Sequence, residues 1–272
     1  MNTFKFWPVG QGLFYTGSIL NGDFNFVYDC GSNDDNYIDC CVDEYLNSLK
    51  DRKLIDFIVI SHLHYDHFSG LYRLARKAKI KKLYLPYLGD NDEIKTLILA
   101  NAIFGETTAE SRENLYRVFD FMLNLYRVDG GARDDFPYIE TDFINNFIDE
   151  DKDGVYSIGR AIAINKYWEF SFIAKQISST RYSDLNKQIS ALLKKEKVTH
   201  VLDLIKEDDG IDKISKIYKS VFKKNQNATS IILVHKPLFN MQTFSPETNL
   251  IDNLSFFSDH PCFCNPYCFN NL

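Results

Sequence analysis

No stretch of the chain approaches the run of about 20 apolar residues that spans a bilayer. The first residues, Met1-Asn2-Thr3-Phe4-Lys5, lack the basic start and apolar run of a secretory signal. A cytoplasmic protein with no membrane partner is therefore expected. Positive charge is not in excess. The formal net charge of −6 gives no general attraction to nucleic acid or anionic lipid. Six cysteines are present, Cys30, Cys40, Cys41, Cys262, Cys264 and Cys268, and in a chain without a secretion signal no disulfide is expected. Histidine is scarce: there are six in 272 residues. What the chain does have is a hydrophobic content of 45% and an aromatic content of 15%, which argue against disorder and for a sizeable core in one domain or two.

Three of the six histidines fall in one stretch, residues 57–70, FIVISHLHYDHFSG. Phe57 to Ile60 reads as a buried strand. It ends at Ser61, and four potential metal ligands follow: His62, His64, Asp66 and His67. Leu71, Leu74, Ala75 and Ala78 then give a helical pattern. The ligands thus sit on the loop after the C-terminal end of a strand, where α/β folds place chemistry. Imidazole and carboxylate bind zinc and similar ions. In an extended loop alternate side chains point the same way, so His62 and His64 can reach one ion, and Asp66 and His67 a second beside it. Two adjacent ions can activate a water and hold a leaving oxygen. A polar loop of solvated histidines is the bland reading. Four clustered polar ligands cost free energy unless something binds them, so the metal reading is preferred.

His62-Leu63-His64-Tyr65-Asp66-His67 resembles the signature of the metallo-β-lactamase superfamily. The resemblance implies an α/β fold of the αβ/βα sandwich type: two mixed sheets back to back, helices outside, metals at one sheet edge. It implies that His62 and His64 hold the first ion and that Asp66 and His67 hold the second, with Asp66 also orienting the hydroxide. The cofactor expected is a divalent metal, one or two ions of zinc, with manganese or iron as the alternatives. Val9-Gly10-Gln11-Gly12, a hairpin, and then Val27-Tyr28-Asp29-Cys30-Gly31 resemble the branch containing the metallo-β-lactamase domain of DNA-uptake channel proteins. Asn227-Ala228-Thr229-Ser230 before an apolar strand resembles it again. Pro8 departs from that branch, which commonly has an aspartate there. Asp29 matches the family's first-motif aspartate, whose implied role is to orient a metal-bound histidine by hydrogen bonding. The family also implies later ligands, a bridging aspartate and a final histidine, and no residue stands in a matching context; Asp259-His260 precedes Pro261-Cys262 instead of an apolar strand. The second half thus reads as incomplete, either truncated or degenerate, with truncation preferred. A two-iron redox member is disfavoured, since Tyr65 stands where that branch carries a glutamate.

Elsewhere, Phe4–Phe6, Leu13–Ile19 and Phe24–Tyr28 read as strands, with a turn at Asn21-Gly22-Asp23. Ile38–Lys50 reads as a helix, Lys82–Leu85 and Tyr167–Ala174 as strands, and two or three helices fall between Ser183 and Lys224 before a strand at Ile231–His235. Residues 89–160 are expected to be a helical insertion or lid, and residues 240–272 an irregular tail, all within one domain spanning 1–272. The acidic run Asp149-Glu150-Asp151 with Asp153 reads as a solvated loop, because calcium-loop spacing is absent. The lysines 213, 216, 219, 223 and 224 read as a solvated helix face. Cys262, Cys264 and Cys268 with His260 lack the usual zinc spacing. His200 and His235 read as structural. The function expected is a metal-dependent hydrolase acting on a phosphodiester, in nucleic acid or a nucleotide, with a small molecule favoured if a lid is present. The alternative is a degenerate binding or scaffold module with an incomplete metal site.

Overall fold

In the computed structural model, residues 2–49, 53–105, 112–126, 136–144, 147–148, 156–164, 168–175, 177–222 and 230–238 are described. The chain starts as an antiparallel meander of β1 (Thr3–Phe6), β2 (Gly12–Ile19) and β3 (Phe24–Ser32). The turn between β2 and β3 needs positive φ at Leu20, Asn21 and Gly22, and Asn and Gly tolerate that region best.

From β3 onward every step in this sheet is a parallel crossover. α1 (Asp35–Ser48) leads to β4 (Leu54–Val59). α2 (Tyr65–Phe68) and α3 (Leu71–Lys77) lead to β5 (Lys79–Pro86). α4 (Asp92–Phe104) and α5 (Arg112–Leu125) lead to β6 (Glu140–Ile144). The six strands lie side by side in sequence order. α1 begins three residues ahead of the helix read from apolar spacing, because the Asp34 side chain caps it, accepting from the backbone N–H groups of Asn36 and Tyr37.

The remaining chain supplies β7 (Phe147–Ile148), β8 (Tyr156–Ile164), β9 (Trp168–Lys175), β10 (Ile177–Ser178), α6 (Ser179–Glu196), α7 (Val201–Leu204), α8 (Gly210–Phe222) and β11 (Ile231–Pro237). β11, β9 and β8 form a second sheet in that order, and β7 pairs with β10. The first sheet is mixed, as expected; the three-stranded one is antiparallel throughout its described residues.

Period-two alternation divides each central strand between two apolar layers. Ile58 and Ile60 join the helix-side core with Leu46, Leu74 and Leu97. Phe57 and Val59 turn the other way and pack with Phe26, Phe170, Phe172 and Ile231. Phe170 meets Phe26 and Phe57 edge-on, each at 4.9 Å between ring centroids, a favoured aromatic geometry. The second sheet therefore lies face to face with the first, opposite the helices.

Within the stretch read as an insertion or lid, residues 92–104 are α4 and residues 112–125 are α5. They carry the chain from β5 to β6, and most of α4 is buried. The acidic run 149–153, the lysines 223 and 224, and residues 239–272 lie outside the described residues.

Candidate metal centre

The histidine loop leaves β4 at a sheet edge that the fold holds in several places. Ile60 N–H still donates to Tyr84 O at 3.0 Å, and the Ser61 carbonyl accepts from Ile231 N at 2.7 Å. The chain is extended at His64 and turns into α2 at Tyr65. α2 then lies directly on the meander. A Cβ on Gly31 would fall 2.5 Å from backbone atoms of Asp66, His67 and Phe68. A Cβ on Gly12, at φ +148°, would fall 2.6 Å from Asp66 O. Only glycine at both positions lets the Asp66–His67 backbone seat this closely. Ser69 fixes the far end of the turn, with its Oγ bonded to both Ser32 N and Ser32 O at 2.9 Å.

Asp29 lies beneath the loop, fully buried and in the left-handed region at φ +57°. A buried carboxylate must be hydrogen-bonded, and Asp29 is. Its Oδ1 accepts from Ser61 N–H at 2.6 Å. Its Oδ2 accepts from Ser61 Oγ at 2.6 Å and from His67 Nδ1 at 2.8 Å. Ser61 Oγ also lies 2.8 Å from His62 Nδ1. With Nδ1 committed, the coordinating atom left on His62 and on His67 is Nε2.

The three imidazoles are close together. The ring centroids of His62 and His67 are 3.9 Å apart, and those of His62 and His64 are 4.6 Å apart. Burial holds His62 below the usual histidine range, and the neighbouring His67 and His64 add to this. Burial also lowers His64, against the Asp66 carboxylate. Burial acts downward on His67 too, but Asp29 and Asp66 outweigh it and hold that imidazole above its ordinary value. The cluster therefore contains two neutral imidazoles beside a position where two carboxylates favour positive charge.

The donor types suit a divalent ion: neutral imidazole nitrogens and a carboxylate. Donors on one tetrahedral zinc sit about 3.3 Å apart for zinc–donor distances of about 2.0–2.1 Å. Asp66 Oδ1 and His67 Nε2 are 3.8 Å apart, somewhat wider. Among the described residues no group of three or more His, Cys, Asp or Glu side chains converges closely enough to hold an ion.

The other histidines lie outside the cluster. His200 Nδ1 pairs with Glu93 at 2.7 Å. His235 has Tyr15 OH at 3.1 Å from Nε2 and receives Trp168 Nε1–H on Nδ1 at 3.2 Å. His260, Cys262, Cys264 and Cys268 fall outside the described residues. The sequence reading passed over Ser61, Gly12 and Gly31 as parts of the site. The signal available for Ser61 is a hydroxyl at the strand end directly before His62.

The sequence model of the Metallo-beta-lactamase superfamily matches residues 15–93, which include Asp29 and the whole histidine loop. No curated protein matches the chain in sequence. Among solved structures, the chain is similar to MEM-A1, a subclass B3 metallo-beta-lactamase isolated from a soil metagenome library, at 13% identity with a TM-score of 0.33. That similarity covers 64% of this chain and 48% of that one. It is also similar to the Rm3 metallo-beta-lactamase, at 12% identity with a TM-score of 0.29, covering 64% of this chain and 56% of the other. The chain thus spans about half the length of these structures.

Proposed function

We propose that the chain is a metal-dependent hydrolase, with His62 and His64 as ligands of one divalent ion and Asp66 and His67 as ligands of a second. The observation that carries this reading is the anchoring of two clustered imidazoles through Nδ1 to one buried carboxylate system, inside the segment matched by the superfamily model. Metal-binding histidines are commonly held in a similar way, with the second ring nitrogen donating to a carboxylate, backbone carbonyl or water that fixes the ring. A divalent ion bound there lowers the pKa of water so that hydroxide is available near neutral pH.

The chain's own residues do the rest. Asp29 holds His67 directly. The glycines at 12 and 31 seat the Asp66–His67 turn. The Asp66 carboxylate orients the attacking water toward the substrate. The finer reading of the substrate is a phosphodiester, in nucleic acid or a nucleotide. Its support is the resemblance of Val9-Gly10-Gln11-Gly12 and Asp29-Cys30-Gly31 to the DNA-uptake branch.

The test is elemental analysis of the purified chain after dialysis without chelator, together with hydrolysis of bis(4-nitrophenyl) phosphate. Retained metal, with hydrolysis lost in His64→Ala, is the expected result. A chain that retains no metal, or a His64→Ala variant that matches the parent in both readouts, overturns the hydrolase reading in favour of a binding or scaffold module.

A further inference from the structure

We propose that Ser61 is a positioning residue for the metal centre: its hydroxyl carries the Asp29 carboxylate to His62 and fixes that imidazole as the Nδ1–H tautomer, with Nε2 left for the ion. The inference rests on the metal-centre reading given above.

The argument is a count of protons. A carboxylate can only accept, and Asp29 takes hydrogen bonds from Ser61 N–H, Ser61 Oγ and His67 Nδ1 in that role. Ser61 Oγ, 2.6 Å from Asp29 Oδ2, must therefore spend its single proton on that contact. What remains on the hydroxyl is acceptor capacity. His62 Nδ1 sits 2.8 Å from it. Were Nδ1 to carry a lone pair, two buried acceptors would face each other at hydrogen-bond distance. Nδ1 must therefore carry the hydrogen and donate it to Ser61 Oγ. His67 needs no such intermediary, since its Nδ1 meets the same Asp29 oxygen at 2.8 Å, and its contact with Ser61 Oγ, at 3.4 Å, is the longer of the two. One carboxylate thus sets two imidazoles, one by direct contact and one through a hydroxyl. The backbone of Ser61 is held independently, its N–H on Asp29 Oδ1 and its carbonyl under Ile231 N–H. Removing the hydroxyl deletes the link to His62 without freeing the loop.

The relay predicts an asymmetry that a merely structural serine would not produce. Ser61→Ala disturbs His62 and spares His67. Asp29→Asn disturbs both, and asparagine tolerates the left-handed backbone at this position. Ser61→Thr keeps a hydroxyl and restores the parent behaviour.

The experiment is imidazole 15N NMR on the metal-free full chain, at an alkaline pH chosen so that the 15N shifts themselves show neutral rings, followed by zinc titration of the same samples. In the parent, His62 and His67 both give the Nδ1–H pattern. In Ser61→Ala the His62 pattern is lost and the His67 pattern stays, and zinc affinity falls about 10–100-fold, as for loss of other groups that hold a metal-binding histidine. Ser61→Thr recovers both. An unchanged His62 tautomer in Ser61→Ala overturns the relay whatever the zinc result. The tautomer asymmetry in a chain that takes up no zinc upholds the relay and overturns the metal-centre reading instead. Should Ser61→Ala fail to fold, Asp29→Asn decides: a His62 pattern that persists while that of His67 is lost overturns the relay.

Discussion

Two regions of this molecule enclose histidine, one partly and one almost fully, and they use it in opposite ways. His235 on β11 sits in an aromatic enclosure, with Phe4 and Phe26 each 5.2 Å away between centroids and Phe170 at 5.6 Å. Both of its nitrogens are engaged, by Tyr15 and Trp168. His62 is the more deeply enclosed of the two, but its hydrogen bond is to Nδ1 alone, and the neighbours that close over it are two more imidazoles and not phenyl rings. Burial lowers the pKa of both, so the direction of the shift does not separate them. The difference lies in how the nitrogens are assigned. A histidine with two protein partners is a piece of core, whereas one held at Nδ1 beside another held likewise is a candidate ligand.

The sharpest way to break the comparison is to truncate one member of each set. His64→Ala is expected to abolish metal uptake with little change in far-UV circular dichroism, because a loop side chain carries little packing. Wild-type metal content in that variant would refute the ligand assignment. Phe170→Ala removes the ring that joins the two sheets beside His235 and should cost about 3–5 kcal/mol in urea denaturation, while leaving the imidazole 15N signals of residues 62 and 67 in place. Gly31→Ala forces a methyl group into the backbone of the ligand turn and should cost about 1–3 kcal/mol. Here, unlike at Phe170, the 15N signal of His67 should move with the loss of stability.

The smallest effect concerns acid. Burial holds the folded His235 pKa below its ordinary value of about 6.5, so the unfolded chain takes up that proton first as pH falls. The stability contributed by the neutral ring is complete above about pH 6.5 and is lost as pH falls through the folded pKa. In His235→Gln the denaturation midpoint should therefore fall less between neutral pH and about pH 5 than it does in the parent. Equal slopes would mean that other groups govern that limb.

Legibility in the sequence follows the range of the interactions. The run Phe57–Ile60 with the histidine spacing after it is local, and it marks both a buried strand and the candidate site. What it could not show is that Phe57 and Ile58 face different layers. Both are apolar, so an alternating strand buried on two sides looks like a uniform one. Gly12 and Gly31 stand in the sequence only as members of two resembling motifs, and their close approach to α2 is a tertiary fact. The residues of α4 and α5 gave a clear helical pattern, yet only the pairing of β6 beside β5 shows them to be a crossover. The hydroxyl of Ser61 matters because of Asp29, 32 positions earlier, and no periodicity encodes that pairing.

The bond from Ile231 N–H to the Ser61 carbonyl has a consequence in time. Tyr28 reaches the same strand, donating its hydroxyl to Ile231 O across 203 positions of sequence. Contacts that close such long loops carry a high entropic cost and are expected late in folding. During synthesis the meander, the ligand loop and the first crossovers emerge well before β11 exists. A chain halted ahead of β11 would carry every residue of the histidine loop without the clasp that holds the loop's first residue. The amide of Ile231 would then be a clock for the site: its protection from hydrogen exchange during refolding should appear with, and not before, the fixed imidazole signals of the loop.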